Sequence, residues 1–243
     1  DVILPYSTSL SQRSKYSSWR EMLEQFKKNR HNAMKNYMSM LTLAGDNAIP
    51  GIDLSGDRWW HRFIIRWPWR LATTTSVAES SWLSPLRKSA LDTYCKLNTA
   101  LAKRDDQTIK ELASSTYQDQ ILRLRKKQRW DCKYFWHFHK EVTPARVLSI
   151  RAAPGYLAID PPKFGNRNAV QALVRIDTEQ SLEIYTDLGV PLHTPAAKHV
   201  KGGSTAEPVR VTEYFVFEKK MWYDGPWVIR EQLWEAPGRK AAV

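Results

Sequence analysis

Two stretches of this sequence place cationic side chains next to aromatic rings. The first runs from Arg58 to Arg70, RWWHRFIIRWPWR, and the second from Arg123 to His139, RLRKKQRWDCKYFWHFH. Guanidinium and ammonium groups neutralise phosphate charge, while flat rings stack on nucleobases or lie at the boundary of a lipid bilayer. The residue types therefore indicate contact with a polyanion, either a nucleic-acid backbone or a surface of anionic lipid headgroups.

The candidate contact residues are the cations and tryptophans of these two stretches. As residues that bind rRNA or lipid, the sequence offers Arg58, Arg62, Arg66, Arg70, Arg123, Arg125, Lys126, Lys127, Arg129 and Lys133. As interfacial aromatic residues, it offers Trp59, Trp60, Trp67, Trp69, Trp130 and Trp136. A solvated basic face, and packing of the rings inside the domain, are the simpler alternatives. The sequence does not assign RNA to one stretch and lipid to the other.

The positive charge is concentrated in the first part of the chain. Residues 1–140 carry 24 Lys and Arg against 13 Asp and Glu, whereas residues 141–243 carry 13 against 12, within a net charge of +12. An asymmetry of this size indicates that one half of the molecule meets an anionic partner.

The sequence indicates catalysis less strongly than polyanion binding, because its titratable side chains are isolated. The candidate acids and bases are Asp160, Tyr185, His193 and His199. Their spacing specifies no acid and base pair, and we find no nucleophile elbow, P-loop or Gly-rich dinucleotide turn. The candidate metal ligands Cys132, His137 and His139 lack the paired spacing of a structural zinc site. We therefore expect a protein that is not an enzyme and holds neither a metal nor a cofactor.

Cysteine content and hydropathy indicate the redox compartment and the kind of membrane contact to expect. Two cysteines, Cys95 and Cys132, are too few for a disulfide scaffold and are typical of packed thiols in a reducing compartment. We find no apolar run of about 18 residues, so we expect membrane contact to be peripheral. The Ser-rich first residues carry Arg and Lys and have no acid between Asp1 and Glu21, as around the cleavage site of a mitochondrial presequence.

Helical patterns occupy the first half of the chain. Ser18 and Glu21 form a capping box that predicts a helix from 18 to about 41. Its apolar residues at helical spacing are Trp19, Met22, Leu23, Phe26, Ala33, Met34, Tyr37 and Leu41. After a loop at 45–57, the four-residue spacing of Arg58, Arg62 and Arg66 predicts a short basic helix that ends at Pro68, with Arg70 beyond it. Further helices are predicted from Ser84 as N-cap, after Asp105 or Asp106, and over 117–130.

From Thr143 onward the pattern favours strands. They are predicted at 146–152, 156–159, 169–178, 181–187, 209–222 and 227–234, with a polar loop at 191–208. The Asp224-Gly225 pair predicts a tight hairpin turn before the last strand. The order predicts an α+β fold in which helices cover one face of a curved antiparallel sheet. We place a basic, aromatic helical arm at 1–80 and an α+β domain at 81–243.

The helices followed by a meander, with its strand motifs, resemble a known family. The motifs are Val211 to Tyr214, Phe217 to Lys219 and Gly225 to Trp227. Over Ser84 to Glu235 the chain resembles the C-terminal domain family of mitochondrial inner-membrane translocase subunit 44. Within that family it is most similar to the branch with mitochondrial large-subunit ribosomal protein 45 and the fungal inner-membrane ribosome receptor. Residues 58–70 lie outside the resemblance, so their role is inferred from chemistry.

The resemblance implies a cone related to the nuclear transport factor 2 fold. It also implies a matrix-side mitochondrial protein near the ribosomal tunnel exit that tethers the large ribosomal subunit to the inner membrane during insertion of nascent chains. The implied partners are rRNA, neighbouring ribosomal proteins, the inner-membrane surface and, as a further candidate, the insertase. A permanent ribosomal component and a reversible receptor both fit. The alternatives are a peripheral adaptor of the protein-import motor and, less favoured, an enzyme that binds a small molecule in the cone.

Overall fold

Five α-helices pack against a curved four-stranded antiparallel sheet in the part of the chain that the structure describes. The structure is a computed structural model that describes residues 2–57, 66–192, 206–237 and 239–242, without the side chains of Gln12 and Arg66. The predicted α+β class is confirmed.

The helices follow the predicted capping signals closely. A 3-10 helix at Leu10–Lys15 precedes α1 (Trp19–Gly45), α2 (Arg66–Ala72), α3 (Ser84–Lys103), α4 (Asp106–Leu112) and α5 (Ser115–Lys127). The Ser18 hydroxyl accepts the Glu21 amide at 3.1 Å, and the Glu21 carboxylate accepts the Ser17 amide at 2.8 Å. Asp105 caps α4 through the amides of Gln107 and Thr108. The capping box and the Asp105 cap therefore define the starts of α1 and α4.

Two helix boundaries differ from the prediction. Ser84 is the first residue of α3 and not its cap, since Leu83 occupies the N-cap position and Pro85 follows in the first turn. Pro68 does not end the basic helix, because α2 continues through it to Ala72 and includes Arg70.

The strands form a meander in the order β1-β2-β3-β4. They are β1 (Cys132–Pro154), β2 (Asn168–Thr186), β3 (Val209–Lys220) and β4 (Val228–Leu233). Cys132 pairs with Thr186 and Gln180 pairs with Val209, so the first residues of β1 and the last of β2 form a two-stranded ribbon beyond β3.

The sheet corrects several predicted strand limits. β1 begins at Cys132 and not at the predicted residue 146, and its aromatic and β-branched neighbours across the ribbon explain the extended conformation of its first residues. The strands predicted at 169–178 and 181–187 are one strand. Residues 156–159 are not a strand, and neither Asp224 nor Gly225 has a positive φ, so residues 221–227 form a longer connection than a tight turn.

One continuous core joins the helices to the sheet. Its residues include Met40 of α1, Trp67 of α2, Leu86 and Tyr94 of α3, Ile121 of α5 and Phe215 and Phe217 of β3. A smaller cluster on the opposite sheet face contains Leu148, Leu173 and Val216, and the two chain ends cover it, with Tyr6 bridged to Ala241. Residues from 40–54, with Trp67 and Leu71 of α2, thus share a core with the rest of the described chain, and the division at residue 80 stays a prediction.

Helix α1 packs with a face that the hydrophobic pattern does not identify. Its buried side chains include the polar residues Gln25, Asn32, Asn36 and Ser39. The apolar side chains at helical spacing, Trp19, Leu23, Phe26, Met34, Met38 and Leu41, are instead 39–59% exposed. An apolar stripe of this kind normally faces the core. The reason for the exception lies at the edge of the sheet.

The amides of α1 complete the hydrogen bonding of the β1 edge. Asn36 accepts the backbone N–H of Ile150 at 2.9 Å, and Asn32 and Asn36 donate to the carbonyl of Leu148 at 3.3 and 3.4 Å. The Arg151 guanidinium donates to both asparagine side chains at 2.6 Å. A buried, unpaired edge group would cost about 1–3 kcal/mol, so these amides fix which face of α1 is inward.

Candidate nucleic-acid interface

The second basic stretch forms a corner where the end of α5 meets the start of β1. We call the cations Arg123, Lys126, Lys127 and Lys133, together with Trp130, the basic corner. Helix α5 buries Tyr117 and Ile121, and Tyr117 packs edge-to-face on Phe215 with ring centroids 5.7 Å apart. The opposite side of α5 is left to solvent. Lysine and arginine are also favoured in the last helical turn, where the unpaired carbonyls carry partial negative charge.

The predicted cations of this stretch divide into paired and unpaired groups. Arg125 forms an ion pair with Asp106 at 2.7 Å, and Arg129 contacts both carboxylate oxygens of Asp131 at 2.6 and 3.1 Å. The pair holds the pKa of Asp131 below its ordinary value. Arg125 and Arg129 are therefore locally neutralised and shape the corner.

The other four predicted cations differ from Arg125 and Arg129 in having no acidic partner among the described residues. Arg123, Lys126, Lys127 and Lys133 are exposed, and none makes an ion pair within the ranges that the structure describes. Arg123 and Lys127 are four residues apart on α5 and share a face. Several like charges so close together repel one another unless an anion lies against them.

Trp130 stands at the tip of this corner. It is 84% exposed, on the turn between α5 and β1. Trp136 differs, since its indole N–H donates to Gln180 at 2.9 Å and its ring packs on Tyr94. Of the two predicted aromatic residues here, Trp130 has the exposure that base stacking requires, whereas Trp136 is half-buried against α3.

Arg104 and Gln128 fix the turn that carries the corner, and the sequence analysis missed both. Arg104 ends α3 in the left-handed conformation, φ 60°, and its guanidinium donates to the carbonyls of Arg129 and, at 2.9 Å, Cys132. Gln128 donates to the carbonyl of Leu101 at 3.0 Å. Glycine usually occupies the left-handed position after a helix, so an arginine there gave no recognisable signal.

A groove of about 760 Å³ opens beside the basic corner. Its apolar lining includes Leu101, Leu124, Trp136, Leu182 and Val209. Gln180 lines the groove, and its side-chain oxygen accepts the hydroxyl of the buried Tyr94 at 2.9 Å; the same hydroxyl lies 2.5 Å from Glu213. Burial raises the pKa of both Tyr94 and Glu213, so the interior behind the groove disfavours charge.

The first basic stretch is only partly described. Arg58, Arg62, Trp59 and Trp60 lie outside the described residues, as does the side chain of Arg66. Arg70 lies over the Trp82 ring at 5.8 Å, and Trp69 is 72% exposed. Trp67 is 2% exposed, and its indole N–H donates to Asp57 at 2.8 Å. Burial in the core removes Trp67 from the predicted interfacial residues.

The structure does not bring residues 66–70, the described part of the first stretch, together with the second stretch. Helix α2 packs on α1, whereas α5 packs on α4 and β4. These described residues therefore lie on a different surface from the basic corner.

The candidate catalytic and metal-binding residues are dispersed. Tyr185, which pairs with Lys133 across the ribbon, and Asp160, in the loop between β1 and β2, lie at opposite ends of the sheet; His193 and His199 lie outside the described residues. His139 contacts the Ser181 hydroxyl, and His137 lies 3.8 Å from Glu183. Among the residues with described positions, no three His, Cys, Asp or Glu side chains are grouped to bind a metal ion.

No described helix combines the length and hydropathy that crossing a membrane requires.

The profile of the MBA1-like protein family matches residues 58–190, more than half of the chain. The match includes the basic corner and also residues 58–70, which the resemblance noted above left out. It ends before β3 and β4, whose motifs carried that resemblance. No curated protein matches the chain.

Proposed function

Because this chain belongs to the MBA1-like protein family, which indicates a mitochondrial protein associated with ribosomes, we propose that it binds the mitochondrial large ribosomal subunit near the tunnel exit and holds it at the inner membrane. The contact with the ribosome is made by the basic corner, against rRNA phosphates and neighbouring ribosomal proteins. The protein lies on the matrix side and touches the membrane peripherally.

The observation that carries this proposal is the separation of paired from unpaired cations. Arg125 and Arg129 build the corner, and the four exposed cations beside them are left without an acidic partner in the described residues. Phosphate contacts of Lys and Arg position a protein on RNA, and an exposed ring such as Trp130 adds stacking on an unpaired base. The corner thus combines both kinds of contact on one rigid turn.

We also propose that the chain acts by binding and not by catalysis. Behind the groove, the Tyr94 hydroxyl donates to Gln180 and Glu213, which also accept from Trp136 and Gln232. Such a network supports the packing of α3 on the sheet.

The test is co-sedimentation of the purified protein with mitochondrial large ribosomal subunits. We expect the triple variant Arg123→Glu, Lys126→Glu, Lys127→Glu to lose at least about a hundredfold in affinity, because each cation neutralises a phosphate and releases counterions. The matched control is Lys27→Glu, Lys28→Glu, Lys35→Glu, which makes the same charge change on exposed residues of α1.

The salt dependence provides an independent readout. For the wild-type protein, log affinity falls linearly with log salt, and the α5 variant should have a slope shallower by about 2–3. Equal affinity of the α5 variant and the wild type would contradict the proposal, and so would an equal loss in the α1 control.

A further inference from the structure

The outer face of α1 is an apolar stripe bordered by cations. We call Trp19, Leu23, Phe26, Met34, Met38 and Leu41 the α1 stripe. Successive members are mostly three or four residues apart on a helix of 27 residues, about 40 Å long. Because the asparagines hold the other face against β1, the stripe points away from the sheet. Isolated exposed apolar residues are ordinary, but two groups of three on one face of a helix, Trp19 to Phe26 and Met34 to Leu41, mark an interaction surface.

The charges around the stripe identify its partner. Arg20, Lys27, Lys28, Arg30 and Lys35 are exposed on the same helix. The acidic residues of α1 are Glu21 and Glu24. Glu21 is paired with Arg239 and accepts a hydrogen bond from Ser17, so the exposed Glu24 is the acid left to offset these cations. Helix α1 is described throughout, so this balance is complete for it. The cations lie among the apolar side chains and to one side of them, with Arg30 in the gap between Phe26 and Met34.

We infer that the α1 stripe lies in the headgroup region of an anionic lipid bilayer, with α1 parallel to the membrane plane. Helices that bind at the bilayer surface have this composition, with Trp, Phe and Leu on one face and Lys and Arg beside it. The apolar side chains enter the boundary of the acyl chains while the cations reach the phosphates. RNA would use the cations but leave the row of apolar side chains in water.

The indole of Trp19 begins the stripe in a defined position. The Arg13 guanidinium lies 4.8 Å from the centre of the Trp19 ring, and Arg13 donates to the carbonyl of Tyr16 at 2.8 Å. An aromatic ring beside a cation suits the headgroup level, where tryptophan is preferred. The stripe therefore has an interfacial anchor at its first residue.

This inference rests on the proposed membrane contact. It assigns that contact to α1, which contains none of the lipid-binding residues predicted from the sequence. It is independent of the basic corner, which is assigned to the ribosome. The two surfaces can thus be tested with separate probes on the same full-length protein.

The experiment is flotation of the purified protein with lipid vesicles. The probes are vesicles of phosphatidylcholine alone and of phosphatidylcholine with one-third cardiolipin. We expect the wild type to float with the cardiolipin vesicles, and Leu23→Ser, Phe26→Ser, Met34→Ser to reduce the partition coefficient by about a hundredfold. The control Leu157→Ser, Ile159→Ser, Leu188→Ser removes three side chains that are more than 90% exposed elsewhere, and it should float like the wild type.

Two further readouts separate the possible failures. The α1 serine variant should unfold at the wild-type temperature and co-sediment normally with large ribosomal subunits. A clear loss of thermal stability would show that another part of this chain packs on the stripe, and a loss of ribosome binding would show that the stripe contacts protein or RNA. Either result overturns the lipid assignment, as does flotation of the variant equal to that of the wild type. If the wild type does not float, both the lipid contact of α1 and the proposed membrane tether are wrong. The proposed ribosome contact is then still tested by co-sedimentation.

Discussion

Helices α1 and α5 are both basic and amphipathic, yet they present opposite faces to solvent. Helix α5 buries Tyr117 and Ile121 and leaves cations outside. Helix α1 buries asparagine and glutamine side chains, joins the core through Met40 and Leu43 near its end, and leaves the α1 stripe outside. The hydrophobic period of a helix predicts that one face is special, but not whether that face meets the core or a partner.

The difference comes from what each helix packs against. Helix α5 packs on β4 and on the aromatic residues of β3, where an apolar surface is available. Helix α1 packs along the edge of β1, where backbone N–H and C=O groups need hydrogen-bond partners. Two similar sequence patterns therefore give an exposed cationic corner in one case, the proposed ribosome contact, and an exposed apolar stripe in the other, the proposed membrane contact.

The largest expected loss of folding free energy comes from a substitution on the buried side of α1, compared with one on its exposed side. Leu43 is fully buried, so Leu43→Ala should lower the free energy of unfolding by about 3 kcal/mol. Leu23 is 55% exposed, so Leu23→Ala should lower it by less than about 1 kcal/mol. Urea denaturation of both variants checks this orientation, and equal losses would place Leu23 in the core.

A smaller effect tests how α1 is attached. Replacing Asn36 by leucine leaves the Ile150 N–H without an acceptor and removes one of the acceptors of the Arg151 guanidinium, which should cost about 2–3 kcal/mol. The exposed substitution Met34→Leu is the control on the same helix. Hydrogen exchange of the Ile150 amide should accelerate in the Asn36 variant, and unchanged protection would argue against the edge contact.

A comparable effect, but one that depends on pH, is expected where charge holds the strands together. Asp177 is buried and accepts hydrogen bonds from Arg210, Arg175 and Thr143, and these partners lower its pKa from 3.8 to about 2. A lowered folded-state pKa stabilises above the unfolded value, and the stabilisation is lost as the pH falls from about 4 to about 2.

The corresponding variant is Asp177→Asn. It should cost about 2 kcal/mol at pH 7 and progressively less below pH 4, measured by urea unfolding at several pH values. The cost of Asn36→Leu should not change over pH 4–8, because the amides of α1 carry no charge. A cost of Asp177→Asn that is independent of pH below 4 would contradict the ionic role.

The smallest expected effect concerns the tip of the basic corner. Trp130→Ala should weaken binding to large ribosomal subunits by about tenfold, since stacking on one base contributes roughly 1–3 kcal/mol. It should leave the unfolding temperature unchanged, because the side chain is 84% exposed. Trp234→Ala, at a tryptophan that is 73% exposed outside both basic stretches, is the matched control, and equal weakening by both would remove the special role of Trp130.

Local signals predicted the helices better than the sheet and the sites. Ser18, Glu21 and Asp105 act within a few residues of their own positions, so the helix starts could be predicted from the sequence. The extended start of β1 depends on pairing with residues 181–186, almost fifty positions away, which no local pattern reveals.

For the candidate site, too, residue types could be predicted locally but tertiary contacts could not. The cations of 123–133 were predicted, but Arg125 and Arg129 turned out to be paired with Asp106 and Asp131. The orientation of α1 depends on the β1 edge, more than a hundred residues away in sequence, and so the stripe could not be predicted from composition. Side-chain pairing and edge capping are tertiary properties.

The most direct test of two separate surfaces is whether the protein can carry large ribosomal subunits to a membrane. Purified mitochondrial large subunits are mixed with cardiolipin-containing vesicles and floated with or without the protein. We predict that the wild type brings subunits to the floating fraction, that the α1 serine variant remains with subunits in the pellet, and that the α5 charge variant floats alone. Subunits that float equally with either variant would contradict the account.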